Sequence, residues 1–266
     1  MTPAGGDPGS AACPVGRADT IQGKVQRHRK SRMDARTRER LPVLPALVSA
    51  VSRHRGDTAA LLAAARQAAP GQEFTAAGRT LVRLPVKGGS PFKVWARDPV
   101  TGRRADLTGE EDYAFWAWAV IEVLRHTGIR LEELTELSHH SLVQYRLPST
   151  GELVPLLSVA PSETDQERLL VIGPELADVM SAIITRVRST DGTIPLTTAY
   201  DIKERTWNPA MPLLFQRAIG LENRPIPVDG IRGILRGARS DPAIRSWQEP
   251  PQAGSRRCRR FSCLSA

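Results

Sequence analysis

HTGIRLEEL, residues 126–134, joins two segments of helical periodicity and decides how the rest of the chain can fold. Before it, apolar residues at helical spacing predict a helix that starts at the capping-box sequence Thr108-Gly109-Glu110-Glu111. Gly128 is suited to end that helix, because glycine adopts the left-handed conformation without strain. After it, regularly spaced leucines in residues 131–137 predict a short second helix with glutamates on its solvent side.

The periodicity changes downstream of this stretch. Two strands are predicted at Ser141–Leu147 and Leu153–Val159, and a third short apolar run spans Arg168–Ile172, so a small antiparallel sheet is expected. Pro174 opens a further helix, since proline is favoured in a first helical turn. The helix should end near Asp191-Gly192, followed by proline-containing loops over 193–225 and a last helix over Val228–Arg236. The fold class predicted is α+β, mainly helical.

The N-terminal part has a different composition. Residues 1–22 are rich in Gly, Pro, Ala and Ser without apolar periodicity and should be disordered, as should the Arg- and Ser-rich tail 239–266. Short helices are predicted at Leu41–Val51 and Thr58–Ala68 with a turn at Gly56-Asp57. Residues 72–107 predict a connector or short strands. The aromatic residues of the helix before Gly128 are expected in the core rather than on a base-stacking surface.

A basic segment follows the first of these regions and supplies the candidate DNA-binding residues. They are Lys24, Arg27, Arg29, Lys30, Arg32 and Arg36. Such a run could follow a phosphate backbone, and an exposed, solvated arm explains it equally well.

Composition narrows the class of protein. The 266 residues carry a formal net charge of +9, which points to a polyanionic partner such as nucleic acid, and a merely arginine-rich composition explains the charge equally well. No run reaches the roughly 18 apolar residues of a membrane helix, and no signal sequence opens the chain, so we expect a cytoplasmic protein. Cys13, Cys258 and Cys263 form no Cys-x-x-Cys pair and His139-His140 suggests a solvated helix end, so no metal or other cofactor is expected.

The order of these segments around Thr127-Gly128-Ile129-Arg130 resembles the start of the catalytic domain of tyrosine recombinases, the phage-type integrases. The resemblance covers residues 108–238 and includes the later segment Leu214-Phe215-Gln216-Arg217. It implies a partial recombinase catalytic domain in which Arg130 clamps a DNA phosphate and Glu133 supports Arg130 by hydrogen bonding. It also implies double-stranded DNA as partner and no small-molecule substrate.

The same resemblance implies that the active site is incomplete. In the family a hairpin lysine protonates the leaving oxygen, and the matching position here is Glu163, which is ionised at neutral pH and repels phosphate. No histidine is followed three residues later by arginine, so the second arginine box is absent from the sequence. The tyrosines are Tyr113, Tyr145 and Tyr200, and all precede the segment where the nucleophile belongs.

Beyond Ile231-Arg232-Gly233-Ile234-Leu235 the resemblance ends, in a composition that an altered reading frame of a high-GC gene produces. We therefore expect a truncated or frameshifted integrase, and a His-x-x-Arg and a tyrosine in another frame past Leu235 would test that idea. The domains expected are a basic arm with short helices at 23–78, a connector at 79–107 and the partial integrase domain at 108–238.

Three functions remain open at this stage. In the first, the chain is a recombinase-family protein for DNA integration that cannot cleave DNA alone. Intact protomers could then donate the missing tyrosine to it. Alternatively, it is a non-catalytic DNA-binding or regulatory protein derived from an integrase. In the third reading it is a small helical protein without a DNA role, and the Thr-Gly-Ile-Arg match is accidental.

Overall fold

A computed structural model describes residues 28–35, 37–39, 41–85, 92–160, 166–201, 205–220 and 222–238. The chain divides into two compact units, Met1–Pro45 and Ala46–Ala266. In the first unit, residues 28–35 and 37–39 are helical and exposed, and a 3-10 helix spans Leu41–Val43. The disorder predicted for 1–22 and 239–266 falls outside the described residues.

The first long helix, α1 (Leu44–Gln67), replaces the two short helices predicted from the sequence. The predicted turn at Gly56-Asp57 is wrong, because the helix continues through both residues. Apolar side chains on either side of Gly56 are buried in two different clusters, Val51 in the main core and Leu61 in a smaller one. Packing at both ends outweighs the roughly 1 kcal/mol that a mid-helix glycine costs.

A four-stranded antiparallel sheet follows, so the short-strand reading of residues 72–107 is the correct one. Its strands, in spatial order, are β1 (Glu73–Ala76), β2 (Arg79–Arg83), β3 (Trp95–Arg97) and β4 (Arg104–Asp106). Leu81 and Ala96 are buried against Leu61 and Leu62 of α1 and form the smaller hydrophobic cluster.

The helix α2 (Leu107–Thr127) leads into the candidate site. The predicted cap at Thr108 is wrong: the carboxylate of Asp106 accepts the Gly109 N–H at 3.0 Å and caps the helix. Thr108 instead accepts the Val94 N–H at 2.9 Å, which ties the helix start to the residue that precedes β3. The predicted left-handed end at Gly128 is confirmed, with φ 65°.

The elements after Gly128 agree with the predicted order. They are α3 (Leu131–Glu136), β5 (Leu142–Arg146), β6 (Leu153–Val159), β7 (Arg168–Val171) and α4 (Pro174–Val187). The three strands form an antiparallel sheet in the order β5-β6-β7, which confirms the predicted sheet.

The loop prediction for residues 193–225 is wrong in part, because this region contains two short hairpins. Their strands are β8 (Tyr200–Asp201), β9 (Thr206–Trp207), β10 (Gln216–Ile219) and β11 (Glu222–Pro225). Strands of two to four residues are too short to show alternation in sequence. The last helix predicted is confirmed as α5 (Val228–Ala238).

The main core of the second unit lies between α2, α4, α5 and the inner face of the β5–β7 sheet. Phe115, Trp116 and Trp118 are all buried there, which confirms that the aromatic residues of α2 belong to the core. Of the residues that the structure describes, 47% are helical and 24% lie in strands, so this part is mixed and mainly helical, as expected. Within the described part of the chain, no helix is long and apolar enough to cross a membrane.

Candidate functional site

Arg130 lies in the extended turn between α2 and α3, with φ −78° and ψ 160°. The turn is held from both sides, because Gly128 takes the left-handed conformation and Ile129 is buried in the main core. The Arg130 residue itself is exposed. A rigid turn thus carries an arginine at the protein surface.

Glu133 connects Arg130 to the β5–β7 sheet. Its Oε2 atom accepts the Arg130 backbone N–H at 2.8 Å and an Nη2 hydrogen of Arg168 at 2.6 Å. The Glu133 side chain is fully buried, whereas the Arg168 side chain is 40% exposed. Its other oxygen, Oε1, has no hydrogen-bond partner among the described residues. Glu133 therefore holds the backbone of the Arg130 turn, and Arg168 supplies the charge that lets the carboxylate be buried.

Arg168 has no place in the site predicted from sequence. It stands at the start of a short apolar strand, and nothing in the local pattern distinguishes it from an arginine at a solvated strand end. Only the packing of β7 beside α3 brings it to Glu133, 35 residues away in the chain.

The other predicted site residues are only partly described. Arg29, Lys30 and Arg32 lie exposed on the helical segment of the first unit, as a DNA-binding arm or a solvated one would. Lys24, Arg27, Arg36 and Glu163 fall outside the described residues.

The sequence contains three tyrosines, and none of them is predicted to be the nucleophile. Tyr113 lies on α2 with the Arg217 guanidinium 4.8 Å from its ring centre. Tyr145 lies in β5 and is 49% exposed. Tyr200, predicted in a loop, lies instead in β8 with its ring 5.2 Å from that of Trp207. Tyr113 and Tyr200 thus have aromatic or cationic contacts that account for their positions.

A second charged cluster fixes the segment Leu214-Phe215-Gln216-Arg217 to α2. Arg217 pairs with Asp112 at 2.7 Å, and Arg186 of α4 makes two bonds of 2.7 Å to Glu111 and one of 3.1 Å to Asp112. Burial acts to lower the pKa of Arg186, but hydrogen bonds to Glu111 and Asp112 outweigh it and raise that pKa above its ordinary value. Every guanidinium bond described here is to a carboxylate of the protein, so this cluster stabilises the fold rather than offering a binding site.

The histidine pair does not form a metal site with its neighbours. His139 and His140 are exposed in a 3-10 helix, with their ring centres 6.5 Å apart. In the part of the chain that the structure describes, no three His, Cys, Asp or Glu side chains are grouped as metal ligands.

Comparisons of the chain with protein-family models, with curated proteins and with solved structures give no match.

Proposed function

We propose that this chain is a tyrosine-recombinase-like protein that binds double-stranded DNA and does not cleave it alone. The observation that carries the proposal is the Arg130 turn: an exposed arginine whose backbone is fixed by a buried carboxylate. It stands in the order of elements that the resemblance implies, from the apolar helix through the three-stranded sheet to the Pro174 helix.

The chemistry of the Arg130 turn suits the binding of a phosphodiester. A guanidinium group keeps its charge at every accessible pH and matches the geometry of two phosphate oxygens. The arm residues Arg29, Lys30 and Arg32 would add sequence-independent attraction to the DNA backbone.

Cleavage needs more groups than this chain offers. Phosphoryl transfer through tyrosine requires a nucleophile beside the clamped phosphate and an acid that protonates the leaving oxygen. The sequence has no His-x-x-Arg, and Glu163 stands where the family has its lysine. Binding in recombination complexes, with catalysis supplied by an intact protomer, is the role that these residues support.

Salt-dependent binding to a short duplex tests the DNA function. We expect the logarithm of the binding constant to fall linearly as the logarithm of salt concentration rises. The Arg130→Ala variant should lower the magnitude of that slope by about 1, since one phosphate contact is lost. Arg188→Ala removes an equally exposed arginine at the end of α4 and should leave the slope close to the wild-type value. Absence of binding at low salt would disprove the proposal.

Cleavage is tested separately with a nicked suicide substrate that traps a covalent phosphotyrosyl adduct. We expect no protein–DNA band that survives denaturation. An adduct would show that one of the three tyrosines is a competent nucleophile, and the claim of binding without cleavage would be wrong.

A further inference from the structure

The four-stranded β1–β4 sheet has two chemically different faces. The inner face packs on α1 through Leu81 and Ala96, which are buried. Because side chains alternate along a strand, the neighbours Val82 and Arg97 point to the opposite, outer face. The outer face is therefore free of the core, and its residues are not chosen by packing against α1.

One row of the outer face places two arginines directly opposite each other. The strand register aligns Glu73 with Val82, Val82 with Arg97 and Arg97 with Arg104. Arg97 and Arg104 are both exposed and stand on adjacent strands, which lie about 4.8 Å apart. Like charges in directly opposed positions destabilise a sheet. The arrangement therefore opposes folding instead of assisting it.

The protein does not neutralise these two charges. Among the described residues, neither guanidinium has a carboxylate partner, and Arg104 lies 5.4 Å from the ring centre of the half-buried Trp95. Other cations of the same sheet are satisfied. Arg79 of β2 pairs with Glu110 at 3.1 Å, and Arg83 of β2 donates to the Arg66 carbonyl at 3.2 Å. Within the four strands of this sheet, the arginines without an ion pair or a carbonyl acceptor are thus Arg97 and Arg104.

We infer that Arg97 and Arg104 form a phosphate-binding surface for duplex DNA, separate from Arg130, with Trp95 holding Arg104 against the sheet. The choice of DNA as the polyanion rests on the proposed function. Two guanidinium groups on a rigid sheet can bind adjacent phosphates with little loss of conformational freedom, and bound phosphate removes the repulsion between them. A charge arrangement that is unfavourable for the fold becomes favourable in the complex.

The double variant Arg97→Ala/Arg104→Ala tests this surface in the salt titration described above. We expect the magnitude of the slope to fall by about 2, one for each phosphate contact. The matched control is Arg146→Ala/Arg188→Ala, which removes the same charge from exposed positions on other elements and should keep the wild-type slope. If wild type binds and both double variants give the same slope, this inference is wrong and the proposed function stands. If wild type does not bind at low salt, both fail.

Two further measurements separate binding from folding. Arg97→Ala removes the repulsion, so its thermal midpoint should be no lower than that of wild type; a clear decrease would overturn the like-charge argument. Arg97→Lys/Arg104→Lys keeps the charge and should keep most of the salt slope. Tighter binding of wild type to an RNA duplex of the same sequence would overturn the choice of DNA.

Discussion

Glu133 is the residue on which the geometry of the Arg130 turn depends. Its side chain is fully buried, and one of its oxygens accepts both the Arg130 backbone N–H and the Arg168 guanidinium. A buried carboxylate is tolerated only while it is paired, because taking an ion out of water costs several kcal/mol. The exposed arginine is thus held in place by an interaction beneath the surface.

Arg168→Ala should therefore destabilise the protein although it removes an exposed side chain. We expect the free energy of unfolding to fall by about 2–3 kcal/mol. This is less than the 3–5 kcal/mol of a wholly buried pair, because Arg168 is 40% exposed and water screens it in part. Chemical denaturation monitored by circular dichroism measures the change.

The double variant Arg168→Ala/Glu133→Gln also removes the charge of the Glu133 carboxylate, which Arg168→Ala leaves buried without its partner. It should therefore recover part of the stability that Arg168→Ala loses. The exposed pair Arg224–Glu222 provides the comparison, with side chains 60% and 71% exposed. Breaking it with Arg224→Ala should cost under about 1 kcal/mol. Equal losses for Arg168→Ala and Arg224→Ala would contradict the role given to Glu133.

At the scale of elements, α1 continues through Gly56-Asp57, where the sequence pattern predicts a turn. Gly56 lies inside the helix, and a Cβ added there would meet no atom within 4 Å. Gly128 is equally open but has φ +65°, where residues with side chains are strained. The same substitution should therefore have opposite effects at these two glycines.

Gly56→Ala should raise the free energy of unfolding by about 0.5–1 kcal/mol, since alanine is the better helix former. Gly128→Ala should lower it by about 1–2 kcal/mol because the left-handed conformation disfavours a side chain. Thermal or urea unfolding compares them. If Gly56→Ala were destabilising, the chain would bend at Gly56-Asp57, as the sequence pattern indicated.

On the scale of the whole molecule, α5 completes the main core of the second unit. It packs against α2 and α3, and its Ile231 and Ile234 are buried among residues of that core. It belongs to the same compact unit as the Arg130 turn.

Ile231→Ala should lower the free energy of unfolding by about 2–5 kcal/mol, because it leaves a cavity in a close-packed core. Ile219→Ala is the matched control, since Ile219 is 49% exposed in β10 and should cost far less. Urea denaturation followed by tryptophan fluorescence gives both values. Near-equal costs would show that α5 is not part of the core.

The sequence by itself determined the elements whose signals are local. The αL end at Gly128, the short helix after Arg130, the three-stranded sheet and the Pro174 helix follow from glycine conformation, apolar spacing and proline placement. Arg130 itself is selected by the resemblance of Thr127-Gly128-Ile129-Arg130 to a tyrosine-recombinase segment, and the local signals predict only the turn that carries it. The helices and their ends depend on residues within one or two turns of each other, and the sheet joins strands that follow one another along the chain.

Tertiary structure alone decided the features that join distant segments. The pairing of Arg168 with Glu133, the continuous α1 and the opposed Arg97 and Arg104 each depend on contacts between different elements. Asp106 displaced Thr108 as the cap of α2 for the same reason, because Thr108 is engaged with Val94. Local conformational propensities differ by about 1 kcal/mol or less per residue. Burial of one large apolar side chain contributes more than that to the free energy of folding, so tertiary contacts can override a local signal.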